Sequence, residues 1–383
     1  VKAIRYGPRN VKGEDVTIWY RLVLVGLFAV SLAACGAAPA AGPDAAASPE
    51  ATAPQSDAVA TPDAPAETPT TADAEPTAEA PADATDDSTA DANVSFTDAT
   101  DTTVTLESAP ERIVCVTEIC TDILFDLGLE PVAVPPGGIA PLPEFFGEQA
   151  ESFAIIGGSF FEPSLEDIAQ AQPDLVIGLS GVHEGLRDGL QAIAPLYIMD
   201  PRTYEDSLAY LQDVGRLTGR SAEADAVAER FRERLAAYRE QAPKDKTVLV
   251  MYGSDVNFGI DTAGALVGDM LSELTNYPWL APPPGAEGHA SGGIQFSLEG
   301  VLEQNPDVLF VETFGFGPTP PEPLSEQLAA NPLWSEIKAV QEDEVHEVSF
   351  AIWGTGRGVR SLSLVLDEAM TRTYPDVFPE PLP

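Results

Sequence analysis

Basic residues are scarce in this 383-residue chain: 20 Lys+Arg stand against 61 Asp+Glu, a formal net charge of −41. A nucleic-acid binder needs a positive footprint to release counterions from phosphate, and none is supplied. Anionic lipid headgroups repel such a chain as well. Histidine is scarcer still. His183, His289 and His346 are far apart and form no three-His cluster for zinc or manganese, so no metal site is expected. There is no Gly-x-Ser-x-Gly elbow, no His-Glu-x-x-His pair and no credible acid/base pair, which excludes the common enzyme readings. The run Gly354-x-Gly-x-Gly departs from the dinucleotide spacing and lacks a Lys-Ser/Thr ending. What is present is ample apolar material, 44% of residues, and a length that suggests two or three domains.

The charge divides into three regimes. Residues 1–34 carry a basic stretch, then a 13-residue uncharged run from Leu22 to Ala34, shorter than the roughly 20 residues a bilayer span needs. Positive n-region, apolar h-region and small-residue end read as a secretory signal peptide. Leu32-Ala33-Ala34-Cys35 looks like a bacterial lipobox, which makes Cys35 the lipidated mature N-terminus and the protein an extracytoplasmic lipoprotein held to a membrane by its lipid. Residues 36–92 carry 12 acids, nine prolines, no base and no aromatic. They cannot bury enough apolar surface to offset ordering entropy, so a disordered spacer of about 40 Å is expected.

From Asn93 the pattern becomes globular. Val94–Thr97 and Thr102–Leu106 alternate as a hairpin around Asp98–Asp101, and short apolar strands then alternate with helical periods. The predicted strands are Arg112–Thr117, Pro131–Val134, Phe153–Ile156, Asp174–Leu179, Leu196–Met199, Lys246–Tyr252, Asp307–Glu312 and Val345–Val348, with a helix starting at Thr121. That alternation implies α/β architecture with a largely parallel sheet. Ser221–Gln241, with Ser221 as a candidate N-cap and Val227, Phe231, Leu235 and Tyr238 on one face, reads as one long helix joining two lobes. The expected head is therefore a lobe over 93–220, a connector over 221–242 and a lobe over 243–383. The two lobes share a unit. Ser164-Leu165-Glu166 leading to Pro173-Asp174 recurs, offset by 133 residues, as Ser297-Leu298-Glu299 leading to Pro306-Asp307. Serine caps a helix, and Pro-Asp ends it before a buried strand.

The lipobox, the acidic spacer, Pro110-Glu111-Arg112-Ile113-Val114, the duplicated Ser-Leu-Glu…Pro-Asp units, the long connector and Asn331-Pro332-Leu333-Trp334 together resemble the substrate-binding proteins of iron–siderophore, heme and cobalamin ABC importers. The resemblance covers roughly residues 94–375. It implies two Rossmann-like α/β lobes with a ligand cleft between them, no cofactor and no enzymatic activity. It also implies that Glu166 and Glu299 dock the head, as a monomer, onto a dimeric permease. Ligand groups are then expected on loops at the carboxyl ends of strands: Phe160, His183, Tyr252, Phe258, Phe314, Trp353, Arg357 and Arg360, with Phe161 and Phe316 adding to an aromatic lining. Trp353 suits stacking on a flat chelate, its alternative being core. Arg357 and Arg360, at i and i+3, suit bidentate binding of an anionic ferric siderophore, their alternative being ion pairs with nearby acids. His183 or Tyr252 would serve as axial ligand if the cargo were heme; a surface or capping role is the alternative for His183. A structural or adhesive lipoprotein is the reading of another class. Cys115 and Cys120, either bridged or free, and Glu118 depart from the small polar residues this loop more often carries in the family.

Overall fold

The computed structural model describes residues 94–281, 293–315 and 321–383. The leader 1–34, Cys35, the spacer 36–92, His289 and Phe316 lie outside the described residues.

A hairpin of β1 (Val94–Thr97) and β2 (Thr103–Leu106) opens the head. The first lobe follows with β3 (Ile113–Cys115), α1 (Glu118–Asp126), β4 (Ala133–Val134), β5 (Ala154–Ile155), α2 (Leu165–Gln170), β6 (Leu175–Leu179), α3 (Arg187–Leu190), β7 (Leu196–Met199) and α4 (Tyr204–Leu217). Its five-stranded sheet has the order β5-β4-β3-β6-β7 and is parallel throughout. Residues on both faces are buried, as a doubly wound sheet requires. Ile113 and Cys115 join the core under α1, α4 and α5, while Val114 and Val176 pack with Ile168 and Leu190 on the other side.

The connector is α5 (Ser221–Gln241), whose Val227, Phe231, Leu235 and Tyr238 are all buried. Its cap differs from expectation. Ser221 is already helical, Arg220 holds the N-cap position, and no side chain bonds the first amides. The helix is fixed by tertiary contacts instead. Tyr238 Oη donates to Asp367 Oδ1 at 3.0 Å and accepts from the Leu382 amide at 3.0 Å, and Arg234 pairs with Asp367 at 2.8 Å.

The second lobe contains β8 (Val248–Gly253), β9 (Gly259–Asp261), α6 (Leu266–Ser272), β10 (Gly293–Gln295), α7 (Leu298–Gln304), β11 (Val308–Thr313), α8 (Leu324–Leu328), α9 (Lys338–Gln341) and β12 (Val345–Val348). A π-helical turn at Ala351–Gly356 leads into α10 (Val359–Thr373). The sheet order β10-β9-β8-β11-β12 repeats the first lobe's pattern, although β9 runs antiparallel to both of its neighbours, β8 and β10.

The shared unit does the same work twice. Ser164 Oγ accepts from the Asp167 amide and Ser297 Oγ from the Gly300 amide, each at 3.3 Å, capping α2 and α7. Asp174 Oδ2 then accepts from the Glu111 amide, and Asp307 Oδ2 from the Thr247 amide, each at 2.7 Å. Each aspartate thus fastens the start of the neighbouring strand, β3 or β8, beside the strand it precedes.

Candidate functional site

Strand order reverses between β3 and β6 in one lobe and between β8 and β11 in the other. In open α/β sheets the crevice at such a switch point, beyond the carboxyl ends, is where ligands bind. Two surface concavities lie elsewhere, one of about 610 Å³ lined by Thr103, Arg187 and Gln191 and one of about 150 Å³ lined by Trp279, Ile294 and Phe296. Neither includes a loop that follows β3, β6, β8 or β11; the candidate site is taken from the switch-point rule.

The loop after β3 is short and pinned. Cys115 and Cys120 form a disulfide with a Cα–Cα distance of 5.4 Å, which settles the alternative the sequence left open. Closing so small a loop contributes about 2 kcal/mol by chain entropy. Helix α1 accordingly starts at Glu118, three residues before the predicted Thr121.

Phe160 and Phe161 stand at the tip of a turn closed by Ser159 N–H to Glu162 O at 3.1 Å and Glu162 N–H to Ser159 O at 3.2 Å. Gly158 enables it: φ is +91°, and a Cβ would meet the Glu162 carbonyl. Phe160 is half-buried and Phe161 is 59% exposed. His183 is not a ligand group. It is fully buried, its Nδ1 accepts from the Leu179 amide at 3.0 Å, and its Nε2 donates to the Phe160 carbonyl at 2.8 Å. Both ring nitrogens are engaged, and burial pulls its pKa down, which keeps it neutral. Its job is to clamp the phenylalanine turn to the loop after β6.

In the second lobe, two predicted lining residues belong to the core. Phe258 is 2% exposed. Trp353 is 3% exposed, stacks on Phe310 at 4.8 Å between centroids, and donates its indole N–H to Glu368 Oε2 at 3.0 Å. Phe314 is half-buried and stacks with Phe350 at 4.9 Å. Tyr252 is half-buried against Gly259 and Gly293, and burial together with Asp261 and Glu312 pushes its phenol pKa up.

The two arginines part company. Helix α10 begins only at Val359, and Arg357 precedes it in the left-handed region with φ +57°, so Arg357 and Arg360 share no helical face. Arg360 Nε donates to the Glu144 carbonyl at 3.2 Å, and its guanidinium sits 6.0 Å from the Phe125 ring centroid, which places it on the seam between lobes. Arg357 is half-buried where the lobes meet. Its carbonyl accepts from Ser207 Oγ at 2.8 Å, and its Nε donates to the Gly354 carbonyl at 3.1 Å. Burial pulls its pKa down, opposed by the charges of Asp261, Glu312 and Asp200. Its left-handed conformation is that of the C-cap of the π-helical turn Ala351–Gly356, one of six non-glycine residues with positive φ among the described residues.

Sequence reasoning allowed for acids near these arginines and singled out Glu118, but did not tell which acids lie there or that they are buried. Burial pushes Asp261 up to about 7, and burial with the Asp261 charge pushes Glu312 well above the usual range. On α1, burial raises Glu118 to about 7 and Asp122 to about 6, and burial plus the Asp122 charge raises Asp126 to about 8. Glu118, Asp122 and Asp126 recur at i, i+4 and i+8, a spacing legible in sequence, but their burial is not. A carboxyl whose pKa is raised by folding holds its proton more tightly in the folded state. Its contribution is complete below the unfolded value and is lost as pH rises through the folded one. Lowering pH from about 8.5 to about 6.5 should therefore raise the melting temperature by a few degrees, since about 1 kcal/mol moves Tm by 2–4 °C at this size. Below that window His183 and His346, whose pKa values burial lowers, act in the opposite sense. A calorimetric Tm that is flat or falls between those two pH values contradicts the assignment.

Glu166 and Glu299 are exposed at equivalent positions, each the second residue of its helix, α2 or α7.

The model of the family described as periplasmic binding protein matches residues 113–350, well over half of the chain. The chain belongs to this family. Among curated relatives, the Fe(3+) dicitrate-binding periplasmic protein FecB of Escherichia coli is 30% identical over 67% of this chain and 83% of its own length. The Fe(3+)-citrate-binding protein YfmC of Bacillus subtilis is 22% identical over 70% of this chain and 83% of its own. Among solved structures, the petrobactin-binding protein YclQ of Bacillus subtilis superposes with TM-score 0.62 at 20% identity, covering 73% of this chain and 98% of that one. The two α/β lobes are thus those of a periplasmic binding protein.

Proposed function

We propose that this protein is an extracytoplasmic solute-binding lipoprotein that captures an anionic ferric siderophore and delivers it to an ABC importer permease. The observation that carries the reading is Arg357. It is a half-buried cation at the meeting of two lobes, held at positive φ in a head with a large excess of acid. A ferric hydroxycarboxylate chelate presents carboxylate oxygens that a guanidinium binds bidentately. The names of two relatives, both ferric-citrate binders, support that class. Phe160, Phe314 and the rim residue Phe161 supply apolar surface on either side of the cleft. No catalytic role is assigned to any residue. Glu166 and Glu299 are assigned to permease docking, Cys35 to the lipid anchor, and the acidic spacer to reach.

Titration of the head with ferric dicitrate, a ferric catecholate, a ferric hydroxamate, hemin and cobalamin, followed by tryptophan fluorescence, tests this. Ferric dicitrate should quench saturably with a dissociation constant of about 1 μM or below. Quenching by no ferric chelate at that concentration overturns the reading, and a Soret shift with hemin would replace it by heme.

A further inference from the structure

Helix α10 has no cap of its own. Gly358 holds the N-cap position and has no side chain with which to bond the first-turn amides. Those amides are satisfied from the other lobe. Asp122, fully buried on α1, accepts from the Arg360 amide at 3.0 Å through Oδ1, and from the Ser361 amide at 2.8 Å and Ser361 Oγ at 2.5 Å through Oδ2. Its carboxyl lies directly against Gly358, where a Cβ would displace it. An anion at a helix N-terminus satisfies orphan donors and the positive end of the helix dipole together. Here that bond crosses between lobes, 238 and 239 residues apart in sequence. Arg360 reinforces the same seam by reaching Glu144 and Phe125. Arg357 stands immediately before the N-cap Gly358.

We propose that Asp122 is the positioning residue of the ligand site: by capping α10 across the seam it fixes both the angle between the lobes and the place of Arg357. The second half rests on the ferric-chelate reading; the first does not. Asp122 touches no ligand and acts through Arg357. Replacing one carboxylate oxygen with an amide NH₂ turns a donor toward a donor, so Asp122→Asn leaves at least one of the two backbone amides without its acceptor while keeping the volume. Gly358→Ala pushes the carboxyl off the helix end without changing any charge, and serves if the first variant fails to fold.

The test uses the full chain in a Cys35→Ser background with spin labels at exposed Gln170→Cys and Gln341→Cys, one on each lobe, and a control pair at Gln170→Cys and Glu148→Cys within the first lobe. Electron–electron distance measurements without ligand should show a narrow interlobe distribution in the parent. In either variant that distribution should be broadened or shifted, with the control pair unchanged. Ferric dicitrate affinity should fall at least tenfold in the same variants. A lower Tm with an unchanged interlobe distribution means Asp122 is merely structural and overturns the proposal. Broadened lobes in a protein whose parent binds no ferric chelate would instead remove the functional reading and leave the seam assignment standing.

Discussion

Replacing Glu166 and Glu299 together with alanine is expected to abolish siderophore-dependent iron uptake while ferric chelate affinity stays within a few-fold. Both acids are exposed, and the only bond either makes among the described residues is a long one of 3.5 Å, from Gln170 Nε2 to Glu166 Oε1. Their helices are capped by Ser164 and Ser297, so the fold loses little. Exposed substitutions away from such features usually change stability by no more than about 0.5 kcal/mol. Losing one partner of a desolvated charge pair at an interface costs about 2 kcal/mol or more, so losing two weakens docking by about 1,000-fold. Under the proposed docking, a pseudo-symmetric head would meet a two-fold permease through one acid per lobe, which is why both are replaced. Radiolabelled-iron uptake by cells carrying the double variant, with binding measured on the purified protein, checks this. Sustained uptake contradicts it, and so does a parallel collapse of ligand affinity.

Arg357→Gly is expected to weaken ferric dicitrate binding by about 10- to 100-fold, the range spanned by one charge-assisted hydrogen bond of 1.5–3 kcal/mol. Glycine is chosen because φ is +57° at this position, so the substitution removes the guanidinium while relieving backbone strain. Arg357→Lys should recover only part of the loss, because a point charge does not reproduce the planar fork. A net charge of −41 makes the effect larger than usual, since an anionic chelate otherwise meets an acidic surface. Calorimetric titration of the three proteins at low and moderate salt measures it. Unchanged affinity in Arg357→Gly would move the anion site away from this residue.

Much of the architecture was legible because its signals are local. Ser164, Pro173 and Asp174, and their counterparts 133 residues later, encode a cap, a helix stop and a strand fastener within a dozen residues of chain, and each does that work in the structure. The apolar stripe of α5 predicted its burial. Strands β9 and β10 were invisible: each is three residues long and contains glycine, which leaves no period to read. The candidate site was less legible because side-chain roles are set by tertiary partners. Nothing near Trp353 in sequence announces Phe310 or Glu368, and nothing near His183 announces the Phe160 carbonyl that accepts its N–H. Arg357 and Arg360 read as a helical pair only until the helix is seen to begin between them. Asp122 was hidden most deeply, because the helix it caps lies almost 240 residues away.

A crystal structure of the head grown with ferric dicitrate tests the account most directly. The chelate should lie between the lobes beyond the carboxyl ends of β3, β6, β8 and β11, with carboxylate oxygens in hydrogen-bonding contact with Arg357 and Phe160 or Phe314 against its apolar edge. Density for the chelate in the groove beside Thr103 and Arg187, or an Arg357 guanidinium turned wholly toward Asp261 and Glu312 with the anion held elsewhere, would contradict it.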